Sequence, residues 1–384
     1  MSSPRPNSTT FAETGGGIVS LVMIVKDEEN FVENALKDVY DIFDEVVIVD
    51  TGSTDRTQEI CSRYTQSVYS KPFSESFAGA RNYALSLCSR GWIFFLDADE
   101  VIERSEAIKI ISYLRGQNPD KSLGFTMYRY NFFQNGGWYT SRELKIFTNS
   151  GSEFFKGDVG ESVRQSILAD GGEIREKDWI LLHYGHTRSR QIRDAKARRY
   201  LALFGDSSKP INELSWKAAG TIALLKRSLG EYDEALTFAN AAHRTADNAF
   251  TNYCLGQIWR YRNASRAIEF YRRSLEIADD VLVANLLSIA FVINKEYERG
   301  LDILTSRSEI NPRLTHLKVN IAVIYALKND RNRCVEQMKK VRAEGPAFLH
   351  YRPTDDYDPY RFEMFDTISS YDGLEKISHM SGGD

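Results

Sequence analysis

Two carboxylates one residue apart, Asp97 and Asp99, stand directly after the apolar run Trp92-Ile93-Phe94-Phe95-Leu96. Acids with this spacing at the end of a buried strand can hold a hard divalent cation, Mg2+ or Mn2+, between protein and phosphate oxygens. The chemistry served is departure of a diphosphate: charge gathers on its oxygens as the bond breaks, and a cation there offsets it. The same spacing also suits a surface turn whose acids cap a helix. A further acid, Asp50, closes the run Glu45-Val46-Val47-Ile48-Val49, and Lys26-Asp27-Glu28 closes another. An acid at the end of a second strand binds ribose in dinucleotide-binding folds, but those need a glycine-rich turn after the first strand. Here that turn reads Val25-Lys26-Asp27-Glu28-Glu29, without glycine, which disfavours a dinucleotide oxidoreductase and equally a P-loop nucleotidase.

These side chains need elements to position them. Ile18 to Val25 is a continuous apolar run of strand length, the pattern of a strand buried on both faces. A helix is expected from Glu29 to about Tyr40, a second strand over Glu45 to Asp50, and a helix from Arg56 to Tyr64 capped by Ser53 to Asp55. A short segment around Ser67 to Tyr69, a helix over Phe77 to Cys88 and the strand Trp92 to Leu96 complete the alternation. Strands alternating with helices predict a doubly wound α/β sheet, whose ligands bind beyond the carboxyl ends of the strands. Lys26 to Glu28, Asp50 and Asp97 to Asp99 all fall at such ends. From Leu123 to about Tyr184 aromatic and β-branched segments predict further strands of mixed direction.

Beyond the basic stretch Arg188 to Arg199 and Pro210 the chain turns helical and repetitive. Glu231 to Leu236 is echoed at Ala264 to Glu269 and Glu296 to Leu301, and more weakly at Asn332 to Val335. The small residues Ala235, Ala267, Gly300 and Cys334 lie 32, 33 and 34 positions apart. That approaches the ~34-residue period of tetratricopeptide helix pairs. The expected division is a disordered segment 1–17, an α/β domain 18–205, all-α repeats 206–345 and a tail 346–384 of unassigned structure.

With 53 acids against 49 bases the chain has no overall basic character for nucleic acid. Its four cysteines lie far apart without a Cys-x-x-Cys pair, which suits a reducing compartment. The polar N-terminus lacks the apolar core of a signal peptide, and no apolar run approaches the ~18 residues of a membrane span. A soluble, cytoplasmic protein is expected.

Taken together, Val22 to Glu28, Val46 to Thr57 (VVIVDTGSTDRT), Phe77 to Asn82 and Trp92 to Glu100 (WIFFLDADE) resemble family-2 glycosyltransferases in order and spacing, over roughly residues 18 to 190. The resemblance implies a nucleotide-diphospho-sugar transferase fold of the A type, Rossmann-like, and inversion at the anomeric centre. It implies that Val25 and Glu28 line the nucleoside pocket and that Asp50 bonds the base, commonly uracil. Arg81 and Asp97 would lie at the nucleotide, and Asp99 would be the direct metal ligand. Three later blocks, Arg142 to Phe147, Gly157 to Ser162 and His183 to His186, are similar to lipopolysaccharide-core transferases and to peptide S-glycosyltransferases of the sublancin type, which also carry tetratricopeptide helices. Where that set usually reads Gly-x-Val-His-Glu, this chain has Gly160 in place of the histidine.

Glu161 is then the candidate general base, since inversion needs a carboxylate to take the acceptor's proton; a structural acid orienting its loop is the other reading. His183 is a candidate metal ligand, with His186 a weaker option; a satisfied core histidine is the alternative. Arg142 pairs either with phosphate or in a surface ion pair. The basic segment is a solvated face or a contact for an anionic acceptor. The repeats either grip an extended peptide or mediate homodimerisation. The expected function is transfer of a sugar from a UDP-type donor to a peptide or protein acceptor, with a lipopolysaccharide or other surface glycan as the rival. A non-catalytic repeat scaffold that retains a sugar-nucleotide site is the rival of another class. The lack of a Gln-x-x-Arg-Trp block argues for single addition rather than processive synthesis.

Overall fold

The computed structural model describes residues 17–72, 76–119, 122–132, 138–149, 155–156, 162–204 and 211–343. The expected N-terminal segment up to residue 16, Pro210, and the tail 346–384 lie outside them.

The first part alternates as anticipated: β1 (Ile18–Val25), α1 (Val32–Leu36), β2 (Glu45–Asp50), α2 (Thr57–Cys61), β3 (Val68–Ser70), α3 (Phe77–Ser86) and β4 (Gly91–Phe95). There follow β5 (Glu100–Val101), α4 (Arg104–Arg115), β6 (Leu123–Phe132), β7 (Trp138–Asn149), α5 (Arg164–Ala169) and β8 (Glu173–His183). The strands form one mixed sheet in the order β3-β2-β1-β4-β7-β6-β8-β5. Pairing is parallel for β1 with β2 and β4 and for β2 with β3, and antiparallel for β4 with β7 and β5 with β8.

The unbroken apolar runs are explained by burial on both faces. Along β1, Val19, Leu21, Met23 and Val25 enter one core with Val32, Leu36, Ile60, Ile110 and Leu114, while Val22 enters a second core with Ala84 and Leu85. β4 does the same, sending Trp92 and Phe94 to the first and Ile93 and Phe95 to the second. Each fully buried side chain of this size contributes roughly 1.5–3 kcal/mol.

Two helices are shorter than expected. Backbone N–H of Glu29 donates to Asp55 Oδ2, so residues 29 and 30 belong to a loop and α1 begins only at Val32. α2 ends at Cys61 because the next residues close tighter turns, Arg63 N–H to Ile60 O and Tyr64 N–H to Cys61 O.

By compactness the chain divides into residues 1–130 with 142–185, and residues 131–141 with 186–384. The second unit holds α6 (Arg190–Leu203) and then helices that pack in successive pairs: α7 (Trp216–Ser228) with α8 (Tyr232–Thr245), α9 (Ala249–Trp259) with α10 (Ala264–Ile277), α11 (Val281–Ile293) with α12 (Tyr297–Ile310), and α13 (Thr315–Leu327) with α14 (Arg331–Ala343). Ala235, Ala267, Gly300 and Cys334 are all buried, each on the second helix of its pair. At Gly300 an added methyl would come within 3.1 Å of Ser288 O, so the period of small residues is a period of close helix contacts. The architecture is thus an A-type-like mixed α/β domain followed by tetratricopeptide-like helix pairs. Among the described residues no helix is long and apolar enough to cross a membrane.

Candidate functional site

The loops after β1 and β2 are laced together. Asp27, held at φ 54°, accepts Thr54 N–H at 2.7 Å, and its own N–H donates to Ser53 Oγ at 3.0 Å. Glu28 N–H donates to Thr57 Oγ1 at 2.7 Å. Asp55 accepts Glu29 N–H at 3.1 Å through one oxygen and Thr57 N–H at 2.9 Å through the other. Burial works against the Asp55 charge, but the Thr57 hydroxyl, which donates to Asp55 Oδ1 at 2.5 Å, together with these N–H groups outweighs it and lowers the pKa. The expected caps of α2 therefore act mainly across to the β1 loop: the helix's capping residue is Arg56, which makes no side-chain cap bond.

Asp50 is the last residue of β2 and is paired in register with Val25, the last of β1. Its Oδ1 accepts Gly52 N–H at 2.9 Å and Ser53 N–H at 3.0 Å. Gly52 sits at φ 104°, a conformation that glycine reaches without strain. Asp50 is 4% exposed, and its Oδ2 is buried with no partner among the described residues. A buried carboxylate oxygen left open in this way is costly unless something donates to it. A base N–H or a ribose hydroxyl meets that need. Val25 closes the floor of the same turn, its carbonyl accepting both Thr51 N–H and Thr51 Oγ1. Glu28 stands half-buried one loop residue beyond Asp27.

Asp97 is tied into a chain of alternating charges. Arg81 approaches its Oδ1 at 3.3 Å, and Lys145 Nζ lies 2.8 Å from its Oδ2. Lys145 also reaches Glu100 at 2.6 Å, Arg129 lies 3.3 Å from Glu100, and Glu143 lies 2.8 Å from Arg129. Burial opposes the Asp97 charge, but Lys145 and then Arg81 outweigh it and hold its carboxyl well below the usual carboxylate range. Lys145 is raised in turn: burial opposes its charge, and Asp97 and Glu100 prevail. The Arg81 guanidinium also lies over the Phe95 ring at 4.4 Å. Arg142, read as a phosphate partner or a surface pair, is 2.5 Å from the Tyr128 hydroxyl and 3.4 Å from Glu176.

Asp99 has different company. Its Oδ1 is 3.4 Å from His183 Nε2, with both side chains largely buried. The backbone brings them together: β5 pairs Glu100 with His183, and Tyr184 N–H donates to Asp99 O at 2.8 Å. The Asp99 carboxylate is an oxygen donor of the kind Mg2+ and Mn2+ take, and an imidazole nitrogen beside it favours a transition ion such as Mn2+ over Mg2+. Among the described residues no group of three or more acid, histidine or cysteine side chains converges.

Glu161 and the rest of Gly157 to Glu161 lie outside the described residues. Their flanks are held: Lys156 bridges Ser162, and Asn82, next to Arg81, bonds both the N–H and the C=O of Phe155. Lys145, Glu100 and Arg129 were missed as site residues. The available signal was a lysine in the otherwise apolar Leu144-Lys145-Ile146-Phe147, a charge buried without a visible partner.

The family model for glycosyl transferase family 2 matches residues 20–172. Over these residues the chain is similar to glycosyl transferase family 2 domains. The "TPR repeat-containing protein Synpcc7942_0270" of Synechococcus elongatus is 32% identical to this chain over 190 residues, 47% of this chain and 45% of that protein. An "uncharacterized glycosyltransferase", RT0209 of Rickettsia typhi, is 32% identical over 184 residues, 45% of this chain and 62% of its own. "Lipopolysaccharide core biosynthesis glycosyltransferase LpsC" of Rhizobium meliloti is 26% identical over 149 residues, 36% of this chain and 53% of its own. Each match spans less than two thirds of the relative's length, so the family 2 likeness belongs to the domain and not to the chain as a whole.

Proposed function

We propose that the chain transfers a sugar from a nucleotide diphosphate donor, UDP-linked, to an acceptor nucleophile with inversion. One observation carries the reading: the rim at the carboxyl ends of β1, β2 and β4 bears a buried Asp50 oxygen without a partner among the described residues and, beyond it, the Asp99–His183 pair. The first suits a base or ribose donor group, the second a phosphate-bound cation. Mg2+ or Mn2+, when bound, would neutralise charge on the departing diphosphate. In this reading Asp99 and His183 hold the cation, Asp50 orients the nucleoside with Val25 and Glu28 lining its pocket, and Arg81 stands at the nucleotide. Asp97 keeps Arg81 and Lys145 in place. Glu161 is the proposed base that takes the acceptor's proton.

The acceptor we propose is a peptide or protein, as the sublancin-type likeness implies. A glycan of the lipopolysaccharide kind is the second reading, supported by the match to LpsC. The helix pairs do not separate the two: Val283 to Val292 of α11 are all buried, so this inner helix offers no open face to a peptide.

The test is donor hydrolysis by the purified chain across a panel of nucleotide sugars with Mn2+, read as nucleotide release, with Asp99→Ala as control. Release from one donor, lost in the variant, is the expected result. No release and no donor binding across the panel would sink the transferase reading and favour a repeat scaffold.

A further inference from the structure

The Asp99–His183 pair is met from the backbone side by Gly185, the first residue of a short 3-10 turn, Gly185–Thr187. A β-carbon at Gly185 would stand 2.5 Å from Asp99 Oδ2, 2.6 Å from His183 Nε2 and 3.0 Å from His183 Cε1. Van der Waals contact with carbon requires well over 3 Å, so a methyl there must displace the carboxylate, the ring, or both. Glycine is not demanded by the backbone, because Gly185 is absent from the positive-φ residues, and its 3-10 turn is a conformation any L-residue adopts. Its want of a side chain answers to the two donor atoms.

Those donors cannot easily retreat. Asp99 is fixed from behind by its carbonyl on Tyr184 N–H, and His183 by strand pairing with Glu100. Both side chains are about nine-tenths buried, with little room to rotate away.

We propose that Gly185 is a positioning residue for the cation: by presenting only a Cα to Asp99 and His183 it leaves the narrow space in which a carboxylate oxygen and an imidazole nitrogen stand side by side. The inference rests on the cation reading of the Asp99–His183 pair and adds the requirement for glycine beside it. Outer-shell residues of this kind typically govern metal affinity by 10–100-fold.

The experiment uses the full chain and Mn2+ itself, titrated calorimetrically with UDP present, on wild type, Asp99→Ala, Gly185→Ala, His183→Ala and the double variant Gly185→Ala/His183→Ala. Thermal unfolding without metal is followed in parallel. Expected are Mn2+ binding by wild type, its loss in Asp99→Ala, and at least tenfold weaker binding in Gly185→Ala. Without metal, adding Gly185→Ala to the wild-type chain should lower the unfolding temperature. Adding it to the His183→Ala variant should lower it much less, because the Asp99 carboxylate can then turn away from the methyl into the space the ring has left. Wild-type affinity in Gly185→Ala would overturn the proposal while leaving the cation reading standing. So would an equal loss of thermal stability in both backgrounds, since the methyl would then clash elsewhere. Mn2+ binding unaffected by Asp99→Ala would overturn the cation reading itself, and this proposal with it.

Discussion

Asp97 and Asp99 are two residues apart in sequence and occupy different electrostatic worlds. Asp97 is neutralised by Lys145 and Arg81, whereas Asp99 faces an imidazole. Lys145 is the hinge of the first arrangement, because Glu100 beneath it is fully buried. Replacing it by Met leaves that carboxylate short of its nearest cation, and breaking a buried pair in this way costs about 3–5 kcal/mol. Urea unfolding of Lys145→Met should therefore show a loss of that order, largely restored when Glu100→Gln is added. A loss under about 1 kcal/mol would mean that solvent already screens the pair. At Asp50 the expected effect is on affinity instead. Asp50→Ala removes the acceptor for a nucleoside donor group, and bonds to charged groups contribute about 1.5–3 kcal/mol. The donor KM should rise roughly 10–100-fold with the Mn2+ affinity unchanged. An unchanged KM would remove Asp50 from the nucleoside pocket.

At the scale of elements, the β1 and β2 loops are one unit, built from Asp27, Ser53, Thr54, Asp55 and Thr57 bonding across to each other. α1 starts late because its loop takes the residues that would have begun it, whereas α2 is cut short at its other end by the tighter turns after Cys61. Gly52 is the point on which the Asp50 turn depends, since nothing lies within 4 Å of a β-carbon there and the only obstacle to a side chain is φ 104°. Gly52→Ala should cost about 1 kcal/mol or more through backbone strain alone. It should also weaken donor binding by disturbing the two N–H groups that hold Asp50 Oδ1. Donor titration of the variant checks this, and binding as tight as in wild type would show that the turn tolerates another conformation.

At the scale of the whole molecule, both units bury charge: the α/β unit in compensated chains, and the helical unit in Arg227 and Arg260. The helical unit also buries His316 of α13, and the His316 Nδ1 lies 3.2 Å from Thr140 Oγ1 within the same unit. Burial pushes the imidazole pKa down to about 3 from 6.5. The folded value lies below the unfolded one, so the unfolded chain binds the proton more readily. The stability contribution is therefore complete above pH ~6.5 and is lost progressively as the pH falls toward about 3. Between pH 6.5 and 5 the helical unit should lose about 2 kcal/mol. Urea titrations followed by circular dichroism should show this slope in wild type and a flatter one in His316→Gln. The same slope in both would assign the acid sensitivity to other groups.

Much of the architecture was legible because it is written in local periodicity. Unbroken apolar runs such as Val19 to Val25 announce strands buried on both faces. Small residues recurring at 32 to 34 positions announce stacked helix pairs. The position of the acids was legible too, since parallel strands deliver their carboxyl ends to one rim. What each acid faces was decided only in three dimensions. Antiparallel pairing of β4 with β7 carries Lys145 to Asp97, and pairing of β5 with β8 carries His183 and Gly185 to Asp99. Periodicity reports whether a side chain is buried, while strand order and register determine which group it meets. A lysine in an apolar strand and a glycine after a histidine therefore carried no readable role until the sheet had been assembled.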